Sequence, residues 1–152
     1  MSFEEAALCE PLSVALQACQ RARIPPIADI LIFGAGPIGL LCAAVIKAQR
    51  EPDMKVTIAG MTPNLRSKLT SDIDASRLQF AQTFCAVQTW RINSPFEDTN
   101  FTVKRIAQEH LSDDSDQPIL DSGYHLIFEC TGAPMCLQMG IHVTHLSSQR
   151  SN

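Results

Sequence analysis

The chain has 152 residues, 45% hydrophobic and 18% charged, with a formal net charge of −4, enough for one buried core and too few for two full domains. It has no basic run, which argues against nucleic acid or an anionic membrane as partner, and no apolar run near the ~20 residues of a membrane span. The acidic opening Met1-Ser2-Phe3-Glu4-Glu5 is unlike the basic start of a signal peptide, so a cytoplasmic protein is expected.

Ser2-x-x-Glu5 has the form of a capping box and predicts a short helix over about Phe3 to Cys9. Pro11 suits the start of a second helix. Leu12, Val14, Ala15, Leu16, Cys19 and Ala22 then give an apolar stripe near period 3.6 over Pro11 to Arg23. Pro25-Pro26 ends it. Ile30 to Phe33 is a continuous apolar run, as a central parallel strand requires.

Gly34, Gly36 and Gly39 follow with the spacing G-x-G-x-x-G, and each position has a physical task. Gly34 permits the sharp turn, Gly36 keeps a Cβ away from a pyrophosphate, and Gly39 lets the next helix lie close on the strand. That helix opens at Pro37, where a missing N–H costs nothing, and Leu40 to Ala48 continues it. Its N-terminus offers unpaired amides and partial positive charge to a diphosphate. Flavin proteins and some methyltransferases carry related loops, and a purely structural turn is a further reading.

Met54 to Ala59 reads as a second strand. A ribose-binding carboxylate belongs about 20 residues beyond the glycine turn, yet Ala59 and Gly60 stand there. The carboxylates Asp72 and Asp74 come only after the polar stretch Gly60 to Ser71. Asp74 can cap a helix over Ala75 to Phe84, with Leu78, Ala81 and Phe84 on one face. Ala86 to Ile92 predicts a third strand, Phe101 to Leu111 a helix, and Ser112 to Pro118 an acidic loop whose Asp113, Asp114 and Asp116 read as solvated. Tyr124 to Cys130 predicts a fourth strand, Thr131 to Pro134 a turn, and Pro134 to His142 a last helix. Alternating strands and helices imply an α/β fold, an incomplete Rossmann-like doubly wound parallel sheet of about four strands with helices on both faces. Such a sheet leaves an apolar edge beyond strand 4.

The cysteines, Cys9, Cys19, Cys42, Cys85, Cys130 and Cys136, show no C-x-x-C spacing and read as free thiols, most of them buried. None of His110, His125, His142 and His145 has a metal-ligand spacing. No G-x-S-x-G nucleophile motif is present.

Phe3 to Leu16, which includes Glu10-Pro11-Leu12-Ser13, resembles the segment leading into the cofactor domain of zinc-dependent polyol dehydrogenases. Sorbitol, xylitol and L-arabinitol dehydrogenases form this branch of the medium-chain dehydrogenase/reductase superfamily. Gly34 to Leu41, Asp72-Ile73-Asp74-Ala75-Ser76-Arg77-Leu78 and Phe128-Glu129-Cys130-Thr131-Gly132 continue the resemblance, which covers residues 2–59 and 72–143. It implies NAD-dependent oxidation of a polyol to a ketose, with zinc in the full-length family and a homo-oligomeric assembly. By resemblance, Glu10 lies beside the catalytic zinc as a catalytic and indirect metal-site residue. Gly34, Gly36, Pro37, Ile38 and Gly39 line the cofactor, Asp72 grips the adenosine ribose, and Arg77 lies near the adenine. Cys130, Thr131 and Gly132 form the turn passing close to the NAD.

The expected organisation is a helical segment over 1–26 leading from a catalytic domain that the chain lacks. A partial NAD(P)-binding domain over 27–143 follows, with an insertion at 60–71, and then a disordered tail over 144–152. The zinc ligands of the family fall outside the resemblance, so the isolated chain is expected to be inactive. The alternative is a non-catalytic nucleotide-binding module or an inactive truncated fragment.

Overall fold

The computed structural model describes residues 1–49, 54–61, 75–85, 87–92 and 124–145. Asp72, Asp74, the helix expected over 101–111 and the acidic loop lie outside the described residues.

The elements follow in the order α1 (Phe3–Ala7), α2 (Cys9–Ala22), β1 (Asp29–Phe33), α3 (Pro37–Gln49) and β2 (Lys55–Met61). After them come α4 (Ala75–Cys85), β3 (Gln88–Ile92), β4 (Leu126–Glu129) and α5 (Pro134–His145). The four strands form one parallel sheet in the order β3-β2-β1-β4. Going outward from β1, sequence neighbours β2 and β3 lie on one side and β4 on the other. The order therefore reverses between β1 and β4, where a doubly wound sheet forms its binding crevice.

Alternation along β1 sorts the core into two layers. Ile30 and Ile32 join Val56, Ile58 and Phe128 on the face covered by α2, α3 and α4, with Ala15, Cys19, Cys42, Ala43, Ile46, Leu78 and Ala81 packed on them. Leu31 and Phe33 face the other way, onto Tyr124, Cys136, Met139 and Val143. Ile30, Leu31, Ile32 and Phe33 are all 0% exposed, and each such side chain contributes about 1.5–3 kcal/mol by leaving water. Thr57, the buried polar residue of β2, meets the Tyr124 hydroxyl, whose pKa is raised chiefly by burial. At the N-terminal end of the sheet the Asp29 N–H donates to Nδ1 of His125 at 3.0 Å, and the His125 N–H returns to the Asp29 carbonyl at 2.9 Å.

Ser2 and Glu5 form the expected capping box, with Glu5 N–H to Ser2 Oγ at 3.1 Å and Ser2 N–H to Glu5 Oε2 at 2.8 Å. α1 ends at Ala7 and α2 already begins at Cys9, with Pro11 inside its first turn, where no intrahelical donor is needed. Arg23, left-handed at φ 47°, closes α2 by donating its N–H to the Gln20 carbonyl at 3.3 Å.

The sequence expectations also differ from the structure in which helix faces are buried and in where elements end. Val14 is 45% exposed, because the stripe that reaches the core runs through Ala15 and Cys19. On α4 the buried positions are Leu78, Ala81 and Cys85, while Phe84 is 72% exposed and stacks on Phe80 with ring centroids 4.2 Å apart. β2 continues past Ala59, so Gly60 and Met61, placed in the insertion by the sequence, pair with Arg91 and Ile92 of β3. α5 runs to His145 rather than ending before a tail at 144, its last turn anchored by buried Val143 and by Thr144 Oγ1 donating to the Gly140 and Ile141 carbonyls.

Candidate functional site

The C-terminal ends of β1 and β4 carry two turns that meet. At the first, Gly34 has φ +105°, and its N–H donates to the Ala59 carbonyl of β2 at 2.8 Å. A Cβ there would also sit 2.9 Å from Thr131 Cγ2 and 3.2 Å from the Cys130 carbonyl oxygen. The position therefore admits only glycine, for its conformation and for the pressure of the second turn. Gly39 is held by contact alone: a Cβ would stand 2.0 Å from the Gly34 carbonyl oxygen. The start of α3 thus lies directly on the turn that precedes it.

Gly36 is different. Nothing lies within 4 Å of the place its Cβ would take. Space is open over this glycine while its two partners are hemmed in. The first closing bond of α3 runs from the Leu40 N–H to the Gly36 carbonyl at 3.0 Å, so the amides ahead of it have no intrahelical acceptor. They and the positive end of the helix dipole form a cradle for an anion.

The second turn is organised by Glu129, a residue to which the sequence assigned no role. Its carboxylate accepts from the Thr131 N–H at 2.7 Å, from the Thr131 hydroxyl, and from the Gly132 N–H at 3.1 Å. Thr131 Oγ1 in turn accepts from the Ala133 N–H at 2.9 Å, one residue before α5. The legible signal was a carboxylate two and three residues ahead of groups needing an acceptor, just before a proline-initiated helix. The turn presses Thr131 against Gly34 and leaves Thr131 and Gly132 exposed beside the crevice.

The glycine turn, Pro37, Ile38 and the Cys130-Thr131-Gly132 turn are thus brought together. Glu10 is not part of this cluster as described: it lies exposed in the first turn of α2, and among the described residues its carboxylate has no hydrogen-bond or ion-pair partner. Arg77 is half-buried on α4. Asp72 lies outside the described residues. All six cysteines are free thiols; Cys9 is exposed, Cys130 half-buried and the others buried. Among the described residues no group of three or more His, Cys, Asp or Glu is disposed to hold a metal. No helix there is long and apolar enough to cross a membrane.

No family model matches the chain. It is 31% identical to D-xylulose reductase A of Aspergillus oryzae over 94% of its own length and 33% of that protein's. It is 33% identical to sorbitol dehydrogenase of Mus musculus over 95% of its length and 33% of that protein's. The chain therefore spans about a third of the length of these relatives. Among solved structures, an alcohol dehydrogenase of Escherichia coli CFT073 complexed with NADH superposes with a TM-score of 0.60 at 20% identity, over 89% of this chain and 32% of that one. That likeness establishes a shared fold.

Proposed function

Given that the chain is a relative of the polyol dehydrogenases, a branch of the zinc-dependent medium-chain dehydrogenases, and matches about a third of their length, we propose that it carries part of an NAD-binding domain serving oxidation of a polyol to a ketose. The observation that carries this reading is the bare space over Gly36 beside two glycines whose surroundings exclude any side chain. A structural turn has no need of an empty middle position. A diphosphate has, because its oxygens must reach the amides.

In this reading Gly34 and Gly39 fix the turn, and Gly36, Pro37 and Ile38 present backbone to the pyrophosphate. Thr131 and Gly132, held by Glu129, border the path toward the nicotinamide, with Cys130 behind them. Asp72 takes the adenosine ribose and Arg77 lies near the adenine. When bound, NAD supplies the hydride acceptor; this chain's residues orient it and neutralise its phosphates. The structural neighbour with bound NADH has the same fold, which supports this choice of cofactor.

Zinc does not fit what is described here. Glu10 alone cannot hold it, and no described cluster supplies three ligands. The isolated chain is expected to show no turnover. A cytoplasmic location and a homo-oligomeric whole protein belong to the same proposal.

Titration calorimetry with NAD, ADP-ribose and AMP tests it. Saturable binding of NAD and ADP-ribose is expected, weakened at least about tenfold by Gly36→Val, or roughly 1.4 kcal/mol. Binding indifferent to that substitution, or no binding by a folded chain, would overturn the reading.

A further inference from the structure

β4 is the last described strand on its side of the sheet, so its outer edge faces no described strand. Just past it, the Cys130 N–H donates inward to the Phe33 carbonyl at 2.9 Å. Alternation therefore turns the Ile127 amide and carbonyl outward, along that edge. The edge carries none of the usual deterrents to pairing, since no lysine, proline or break in register interrupts Leu126 to Glu129. Beside it runs a groove of about 320 Å³, lined by His125, Ile127 and Glu129 and by Leu137, Gly140 and Ile141 of α5. Leu137 and Ile141, one turn apart on the same face of α5, are 58% and 51% exposed.

We propose that two copies of this chain join at this edge, β4 pairing antiparallel with β4 of the second copy about a two-fold axis at Ile127. The two Ile127 residues then exchange a pair of backbone hydrogen bonds. The strand's own charge order points to a second copy rather than another partner. It has a histidine before its start, an isoleucine at its centre and a glutamate at its end. The two-fold axis reverses that order and sets His125 opposite Glu129 of the second copy, twice, with Cβ atoms about 4.5–5.5 Å apart. Moving the axis by one residue sets Ile127 against His125 or Glu129 instead.

The polar groups are prepared for this match. His125 Nδ1 accepts the Asp29 N–H at 3.0 Å, so the neutral ring carries its proton on Nε2, as a donor. Glu129 Oε2 accepts the Gly132 N–H at 3.1 Å and has a further lone pair. The helices fit as well. A Cβ on Gly140 would stand 3.5 Å from Ile127 and 3.7 Å from Phe33, so α5 lies over the space between β4 and β1. Its two-fold copy lies two strand spacings away, about 10 Å, which is the distance between packed helices. Leu137 and Ile141 of each copy then bury one another across the axis. The interface needs no nucleotide and uses neither α3 nor the glycine turn, so it stands or falls separately from the cofactor reading.

Sedimentation velocity of the purified 152-residue chain over a range of concentrations should show monomer and dimer and nothing larger, because the two-fold axis uses up both β4 edges. Leu137→Glu, at an exposed position, should leave the far-UV circular dichroism unchanged and weaken association at least about tenfold, since it buries two carboxylates at the axis. His125→Glu, which sets like charges face to face, should weaken it similarly, while His125→Lys, which loses the same bond to Asp29, should not. Amide exchange supplies the location: the Ile127 N–H is expected to be protected in the dimer and to exchange fast in dilute monomer. A chain monomeric throughout, larger assemblies, association indifferent to Leu137→Glu, or equal effects of the two His125 substitutions would each overturn the proposal. So would a dimer whose Ile127 amide exchanges fast. Protection of Ile127 that persists in dilute monomer would overturn it too, by giving the edge to another segment of the same chain.

Discussion

Replacing Gly39 by alanine sets two effects of opposite sign against each other. Alanine inside a helix is favoured over glycine by about 0.8–1 kcal/mol, so propensity alone predicts a more stable chain. The structure places the new Cβ 2.0 Å from the Gly34 carbonyl oxygen and 3.2 Å from its carbonyl carbon. Relief requires α3 to lift by roughly 1 Å, and a gap of that size forfeits about a quarter to a half of the attraction across it. The atoms that would lose contact include Cys42, Ala43, Val45 and Ile46, the buried face of α3. Overpacking of this kind costs about 1–3 kcal/mol. Because the obstruction is backbone rather than a movable side chain, we take the upper end and expect a net loss of about 2 kcal/mol. For a chain near this size that corresponds to a midpoint lower by roughly 4–8 °C. Gly36→Ala is the internal control: its Cβ meets nothing within 4 Å, and stability should change by no more than about 0.5 kcal/mol. Thermal and urea unfolding of both variants beside the parent chain decide the matter. A Gly39→Ala chain as stable as the parent, or more so, would refute the close approach of α3 to the glycine turn.

Other substitutions probe the second turn, the buried hydroxyl pair and α4. Glu129→Gln keeps one acceptor oxygen but sets an amide N–H₂ against the Thr131 or Gly132 N–H; a loss of about 1–2 kcal/mol in urea unfolding is expected, and no loss would remove Glu129 as organiser of the turn. Tyr124→Phe strands the Thr57 hydroxyl, itself 3% exposed, and should cost about 1–3 kcal/mol at neutral pH. Because burial raises the Tyr124 pKa in the folded chain, its contribution is complete below the unfolded value near 10 and is lost as pH rises from there through the folded value. Tyr124→Phe should therefore flatten the alkaline decline of stability above about pH 10, and an unchanged slope would contradict the assignment. Leu78→Ala should cost about 2–5 kcal/mol while Phe84→Ala costs under about 1, since the first is 8% exposed and the second 72%; the reverse order would mean that α4 is turned about its axis.

The parts of the fold legible in the sequence are those dictated by residue type alone. Ile30 to Phe33 can only be a fully buried strand, and the three glycines after it are required by a positive φ, an open space and a close approach. The buried faces of the helices were less legible, because a 3.6-residue period does not choose between neighbours such as Val14 and Ala15 or Phe84 and Cys85. In both pairs the smaller residue is the buried one, where helices pack closely. Strand ends are illegible in the sequence for another reason. Gly60 and Met61 extend β2 because β3 offers them partners, which is a property of two segments rather than one. The role of Glu129 is not legible in the sequence because its work is done by hydrogen bonds to residues that follow it, which exist only once the turn has its shape.

Amide chemical-shift mapping with ADP-ribose locates the ligand directly. If the crevice between the ends of β1 and β4 is a cofactor site, the largest shifts fall on Gly36, Ile38, Gly39, Thr131 and Gly132. Shifts confined instead to the groove of about 320 Å³ lined by Leu126, Ile127, Leu137 and Ile141, or to the surface at Gln20, Arg21 and Arg23, would contradict the account.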